Sequence, residues 1–199
     1  MSIKIKILRL IKESFIAKRV RKNDLLLELF TPSNILNEDE LKTKEDVINK
    51  IKNKDFTSDP QEFLNSLSAS KHKEMLTDYS VSDLSKMKLF KVNGYNIGYA
   101  LKRMENGGND IVAVHNNEPT VKGIGEYLMR SAIENGGCFL DHFDTPALSN
   151  LYSRMGFEEI SRDKFDPQYD PDSSFRNKYG EADVIYRVYK GCKNRFKIS

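Results

Sequence analysis

The sequence predicts an α/β (α+β) protein: a mixed, mostly antiparallel sheet flanked by helices, behind a helical N-terminal extension. Three observations predict it. From Lys88 onward, strand-like and helix-like runs follow in the order strand, strand, strand, helix, strand, helix, strand, strand, the grammar of a mixed sheet with helices on both faces. The unit from Asp110 to Phe143 reads strand–helix–strand, which calls for a right-handed parallel crossover. The first third is instead charge-rich, with apolar residues near helical spacing.

In chain order, "IKIKI" at Ile3–Ile7 alternates like a strand, while "SFIAKRVRKNDLLLELF" spaces its apolar residues as a helix does, until Thr31-Pro32-Ser33 breaks it. "TKEDVINKIKNK" starts a helix at Thr43, with Asp46 three residues on. "SDPQEFLNSL" offers Ser58 as N-cap, Pro60 in the first turn and Gln61 at the capping-box position. "SVSDLSKM" is one more helical turn. The strands "KLFKV" and "YNIGYALKRM" flank Asn93-Gly94, a tight-turn dipeptide. "NGGND" is a second turn and "DIVAVH" a short buried strand. "VKGIGEYLMRSAIENGG" is a helix with Ile124, Tyr127, Leu128 and Ala132 on one face, stopped by Gly136-Gly137. "CFLDHF" is a strand, and "PALSNLYSRM" a helix opened by Pro146 and ended by Gly156. "FEEISRDKF" and "ADVIYRVYK" are strands joined by a polar loop from Asp166 to Glu181. The chain thus divides into a basic-armed helical extension over residues 1–80, a folded domain over 81–191 and a tail over 192–199.

The 199 residues suffice for one packed domain and an appendage, and 39% hydrophobic against 31% charged residues describes a hydrophilic globular protein. No apolar run approaches the roughly 18–20 residues of a membrane span. Met1–Lys22 holds eight Lys or Arg and one Glu, so this arm carries +7 in a chain of net +3 and leaves −4 for the remainder. Charges interrupt its apolar residues from Ile3 to Ile16 and no small-residue cleavage site follows, which argues against a secretory signal. Glu13 and the scarcity of serines argue against a transit peptide. The arm is either a solvated amphipathic segment or a docking arm for nucleic acid, an anionic membrane or an acidic partner. The two cysteines, Cys138 and Cys192, give no sign of a disulfide framework, so a reducing cytoplasm is expected.

Within "VKGIGEYLM", Val121–Met129, two glycines one residue apart follow a strand and open a helix. The first N–H groups of a helix lack intrahelical partners. Gly123 and Gly125 remove two side chains that would block close approach, and the helix dipole favours an anion there. A pyrophosphate fits on the amides of Val121, Lys122, Gly123, Ile124, Gly125 and Glu126, with Lys122 as a counter-charge. The alternative is a helix start packed tightly on its sheet. No Gly-Lys-Ser/Thr follows, so this is not a Walker loop, and Leu128 stands where a Rossmann fingerprint has its third glycine.

"LSNLYSRMGFEEI", Leu148–Ile160, adds a helix ending in Leu-Tyr, then Arg-Met-Gly-Phe, then a strand. With the glycine turn, this resembles the GNAT family of N-acetyltransferases over about Lys88–Lys190. The family's turn reads Gln/Arg-x-x-Gly-x-Gly/Ala; Gly123 and Gly125 match it, and Thr120 departs from it. The resemblance implies a GNAT-like acyltransferase domain at 81–191. Acetyl-coenzyme A would be its co-substrate, and an amine of a protein or small molecule its acceptor. It implies a pantetheine arm pairing like an extra strand with Ile111–His115, Val114 included, while "CFLDHF" splays away to open the slot. It implies that Tyr152 protonates the departing thiolate. The family's asparagine near the start of the last helix is absent; Thr145 or Asp144 stands about there. "VHNNEP", "LDHFD" and the long loop together also resemble divergent acetyltransferase-like proteins encoded by bacteriophages and prophages, which would place the protein in a host cytoplasm or a virion.

An acceptor ammonium of pKa about 10 needs a base. Candidates are His115 and Glu118 after the first strand of the crossover, and Asp141, His142 and Asp144 after the second. Alternation puts Asp141 and Phe143 on one face, His142 and Asp144 on the other. His115 is the first choice and Asp144 the second, each against the alternative of a hydrogen-bonded loop or strand-end residue. For Tyr152 the alternative is a core tyrosine with a satisfied hydroxyl. "LDHFD" is a poor match to metal-ligand spacings, so no metal is expected. Tyr169, Phe175 and Tyr179 are candidates to line an acceptor slot, with Asp170 and Asp172 attracting a cation, against the alternative of a solvated loop. The rival reading, motivated by Thr120 and Thr145, is the same fold with catalysis lost. It would serve as a binding or structural module, in a phage particle or on nucleic acid through the basic arm.

Overall fold

The computed structural model describes residues 38–70, 75–105, 107–170 and 172–196. The expectations for the basic arm, for Ile3–Ile7, for the helix after it and for Thr31-Pro32-Ser33 lie outside the described residues. Asp39–Ser199 forms one compact unit. Among the described residues, no helix is long and apolar enough to cross a membrane.

Helix α1 spans Glu38–Lys52 and α2 Pro60–Ser68, with the two-residue strand β1, Phe56–Thr57, between them. Helix α1 starts before Thr43, whose hydroxyl donates back to the Asp39 carbonyl at 2.8 Å as a mid-helix serine or threonine does. The N-cap of α2 is Asp59 rather than Ser58. Its carboxylate accepts from the Glu62 N–H at 2.7 Å, and Pro60 takes the first helical position. The single turn α3, Val81–Leu84, is closed by a reciprocal capping box between Ser80 and Asp83.

Strands β2 (Lys88–Val92), β3 (Ile97–Arg103) and β4 (Asn109–Asn116) form an antiparallel meander. Helix α4 (Gly125–Glu134) leads to β5 (Phe139–Phe143), and α5 (Pro146–Arg154) to β6 (Phe157–Asp163). Strand β7, Val184–Tyr189, inserts between β5 and β6, giving the order β1-β2-β3-β4-β5-β7-β6 with β4–β5 as the parallel pair. The mixed, mostly antiparallel sheet expected from the sequence is therefore what the chain builds.

Alternation along the strands separates two cores. Tyr99, Leu101, Ile111 and Leu140 pack with Val47 and Ile51 of α1, Leu128 of α4 and Tyr152 of α5. On the opposite face, Leu89 and Ala100 pack with Phe63 and Leu67 of α2 and Leu84 of α3. Helices α1 and α2 thus complete both cores, and the boundary expected after residue 80 does not separate packing units. The tail expected from 192 is fastened as well: Cys192 is buried in a disulfide with Cys138, which corrects the expectation of two unpaired cysteines. The loop from Asp166 folds into a 3-10 turn, Pro167–Tyr169, and helix α6, Ser174–Tyr179. Buried Asp170 organises it by accepting from the Phe175 and Arg176 N–H groups at 2.9 and 3.0 Å.

Candidate active site

Strands β4 and β5 share one rung, Asp110 with Phe139. Beyond it, β5 pairs with β7 as far as Phe143 and β4 pairs with β3 as far as Asn116. The facing edges of the two strands then part, leaving backbone donors and acceptors on both sides of a gap. Two local features produce the divergence. Ala113 sits in the left-handed region at φ 52°, and the register against β3 shifts opposite it, between Gly98 and Ala100, so β4 carries a bulge that bends it. At the closed end, a Cβ on Gly137 would lie 2.5 Å from Ile111 Cγ1, so glycine is what lets the chain enter β5 so near β4.

The open end meets the glycine turn. Gly123 has φ 70°, favourable for glycine, and Ile124 at the N-cap offers no side-chain cap to α4. The first amides of a ten-residue helix are left for another acceptor. Lys44 of α1 brings its Nζ to 3.4 Å from the position a Cβ on Gly123 would take. This ammonium makes no ion pair among the described residues. Glu126, the acid of the first turn, is held by Arg154 at 2.7 Å.

On the α5 side of the gap, Tyr152 is buried, its ring 4.9 Å from His142 and 6.2 Å from Phe157. Its hydroxyl has no hydrogen-bond partner among the described residues. Burial, with Asp141 adding, pushes its pKa up to about 12. His142 is fully engaged: Nδ1 donates to the Phe143 carbonyl at 2.7 Å and Nε2 accepts from Arg187 Nε at 2.9 Å.

The two preferred bases are otherwise employed. His115 is buried, and both ring nitrogens are bonded, one to Ser66 at 2.7 Å and one to the Ala113 carbonyl at 2.9 Å. Burial lowers its pKa to about 4. Asp144 accepts from Arg162 at 2.6 Å and Ser149 at 2.7 Å, and those bonds hold its carboxyl below the ordinary range. Glu118 accepts from the Asn96 N–H at 2.6 Å. Phe175 and Asp170 are buried inside their own loop, with Phe143 4.0 Å from Phe175, and Asp172 accepts from the Ser174 N–H at 3.0 Å; the Tyr169 side chain lies outside the described residues.

The structure brings forward two residues that sequence reasoning passed over. Lys44 becomes visible only once α1 packs beside the turn. Asp110 occupies the shared rung, and alternation from its partner Phe139 puts Asp141 on the same face of the sheet, that of Val112 and α2. Burial first and Asp141 second push the Asp110 carboxyl up to about 6. An acid placed inside the apolar run "DIVAVH" was the available sign. No family model matches the chain, and neither a curated protein nor a solved structure matches it.

Proposed function

We propose that the protein is an acyltransferase that moves an acetyl group from acetyl-coenzyme A to an amine, the activity implied by its resemblance to the GNAT family. The observation that carries this reading is the parted β4–β5 pair opening onto a glycine turn with no side-chain cap, with the Lys44 ammonium beside it. The residues fit the donor's chemistry part by part. The amides of Lys122–Glu126 with Lys44 and Lys122 suit a diphosphate, while the Val121 N–H is given instead to the Glu118 carbonyl at 3.2 Å. The free edge of Ile111–Asn116, Val114 included, suits an extended chain bearing amides. Bound there, the thioester would supply an activated acetyl carbonyl.

The chain's own groups supply the rest. Asp110, with a pKa of about 6, is ionised at neutral pH and takes one proton from the incoming ammonium. The nitrogen then forms a bond to the carbonyl carbon as the carbon–sulfur bond breaks. The second proton lost by nitrogen ends on sulfur. Tyr152, at about 12, lies well above a thiol's pKa of about 8.5. It is therefore protonated at neutral pH and donates to the departing sulfur, the place the resemblance implies for it.

Calorimetry with acetyl-coenzyme A tests the reading. Binding is expected at micromolar levels and is expected to vanish in Gly125→Asp. That change suits a first helical turn, so the protein still folds, but it puts a carboxylate beside the diphosphate seat. Absence of heat with any acyl-coenzyme A would reject the enzyme and favour a binding module on the same fold.

A further inference from the structure

Positive charge gathers at the end of the meander far from the glycine turn. Lys88 pairs with Leu101 across β2 and β3, and Arg103 pairs with Asn109 across β3 and β4. Residues two apart along a strand share a face, so Lys88, Leu101, Arg103 and Asn109 stand on one face of the sheet. Lys86, in the turn that enters β2, joins them. These five residues line a cleft of about 250 Å³. Leu101 is buried at its floor, and the three cations are exposed around it. Asn109 is fixed at the rim, its Nδ2 donating to the Gly136 carbonyl at 3.0 Å. The Arg103 guanidinium lies against the β3–β4 turn, with Nη2 3.7 Å from where a Cβ on Gly107 would stand.

No acid lines the cleft, and Lys86, Lys88 and Arg103 form no ion pair among the described residues. Lys88 and Arg103 are diagonal neighbours across β2 and β3. Such neighbours stand about 7–8 Å apart, within reach of long side chains. Like charges so placed repel, which costs stability in the free protein, and a bound anion offsets that cost. The donor set suits one anion in particular. A guanidinium fork and two ammonium groups match the several oxygens and multiple charge of a phosphate better than a single carboxylate. The volume is below the roughly 300–1,000 Å³ of clefts for drug-sized ligands, which fits one phosphate group and its ester.

We infer that the cleft of Lys86, Lys88 and Arg103 is a phosphate-binding site distinct from the glycine turn. It takes one phosphate group, of a soluble phosphate or of a single-stranded nucleic-acid backbone. The cleft meets β4 at Asn109, whereas Asn116, the last residue of that strand, donates to the Val121 carbonyl of the turn. About 24 Å of strand lies between them, too far for one diphosphate to serve both. The site therefore stands independently of the acyltransferase reading.

The test uses the full chain at low salt, with calorimetry on two probes: inorganic phosphate and an oligothymidylate of about ten nucleotides. At least one probe is expected to bind. Arg103→Gln and Lys88→Gln are each expected to weaken that binding about tenfold, the scale of one charge-assisted hydrogen bond. Lys86→Gln repeats the test at a residue outside any strand, where the fold is least at risk. Gly125→Asp, at the glycine turn, is expected to leave the binding in place. Phosphate binding that the cleft variants weaken assigns the site to a soluble phosphate. Binding of the oligonucleotide alone, weakened by the same variants, assigns it to a nucleic-acid backbone. Each variant should then reduce the slope of log affinity against log salt by about 0.7. No binding of either probe, binding that survives all three cleft variants, or binding lost only in Gly125→Asp overturns the assignment.

Discussion

Asp110 shows two opposed consequences of one burial. An acid whose carboxyl is raised from 3.8 to about 6 binds its proton more tightly folded than unfolded. Its contribution to stability is therefore fully present below pH about 4 and is lost as pH rises through about 6. Above that the ionised carboxylate destabilises the fold by up to about 3 kcal/mol, an upper bound for a half-buried group. Asp110→Asn removes the penalty and the base together. We expect it to raise the melting temperature at pH 7, to flatten the loss of stability between pH 4 and 6, and to lower turnover about 100-fold or more on any primary amine the wild type accepts. Denaturant titrations across pH, with rates at pH 7, check both halves. A variant that is neither stabilised nor impaired would return Asp110 to an ordinary strand end. Asp141→Asn is the companion: without the neighbouring charge, the Asp110 midpoint should move to lower pH.

At the scale of elements, the disulfide joins residues 54 apart in sequence. It binds the start of β5, one wall of the gap, to the turn Lys193–Arg195 and to Phe196, whose ring lies 5.2 Å from Phe139. Closing a loop of that length stabilises the folded state by about 4 kcal/mol on the chain-entropy account. Reduction, or Cys138→Ala with Cys192→Ala, is expected to lower the denaturant midpoint accordingly while leaving the α2 and α3 side of the sheet folded; equal midpoints with and without reductant would show that the bond carries no stability. This element was not legible from sequence, because two cysteines in unrelated surroundings carry no pairing signal until β5 and β7 lie side by side. The strands and crossover were legible, since period-2 runs and the turn residues Asn93, Gly94, Gly136 and Gly137 are local. Helix starts were less so. Asp59 won the α2 cap from Ser58 by presenting its carboxylate to Glu62, and Thr43 was absorbed into a longer α1.

The whole molecule joins features that no single segment reveals. The glycine turn could be read because its chemistry is written in consecutive residues. Lys44, Asp110 and the bonding of His115 could not, because each depends on which face of the sheet its partner occupies. Their assembly makes a specific claim about where ordering should fall. A diphosphate on the turn up to Glu126 and an extended chain along the gap-facing edge of Ile111–Asn116 occupy the side of β4 that its ladder with β3 leaves open, whereas β6 and β7 are already paired from Phe157 to Asp163. Saturation at a hundred times Kd stabilises the protein by about 2.7 kcal/mol. We expect hydrogen exchange on adding acetyl-coenzyme A to slow first and most at the glycine turn and along the gap-facing edge of β4. Amides of the β6–β7 ladder should slow only to the extent that they exchange by global unfolding. Protection spread evenly over the sheet, or confined to the β6–β7 end, would mean that the gap between β4 and β5 is not where the molecule receives its acyl donor.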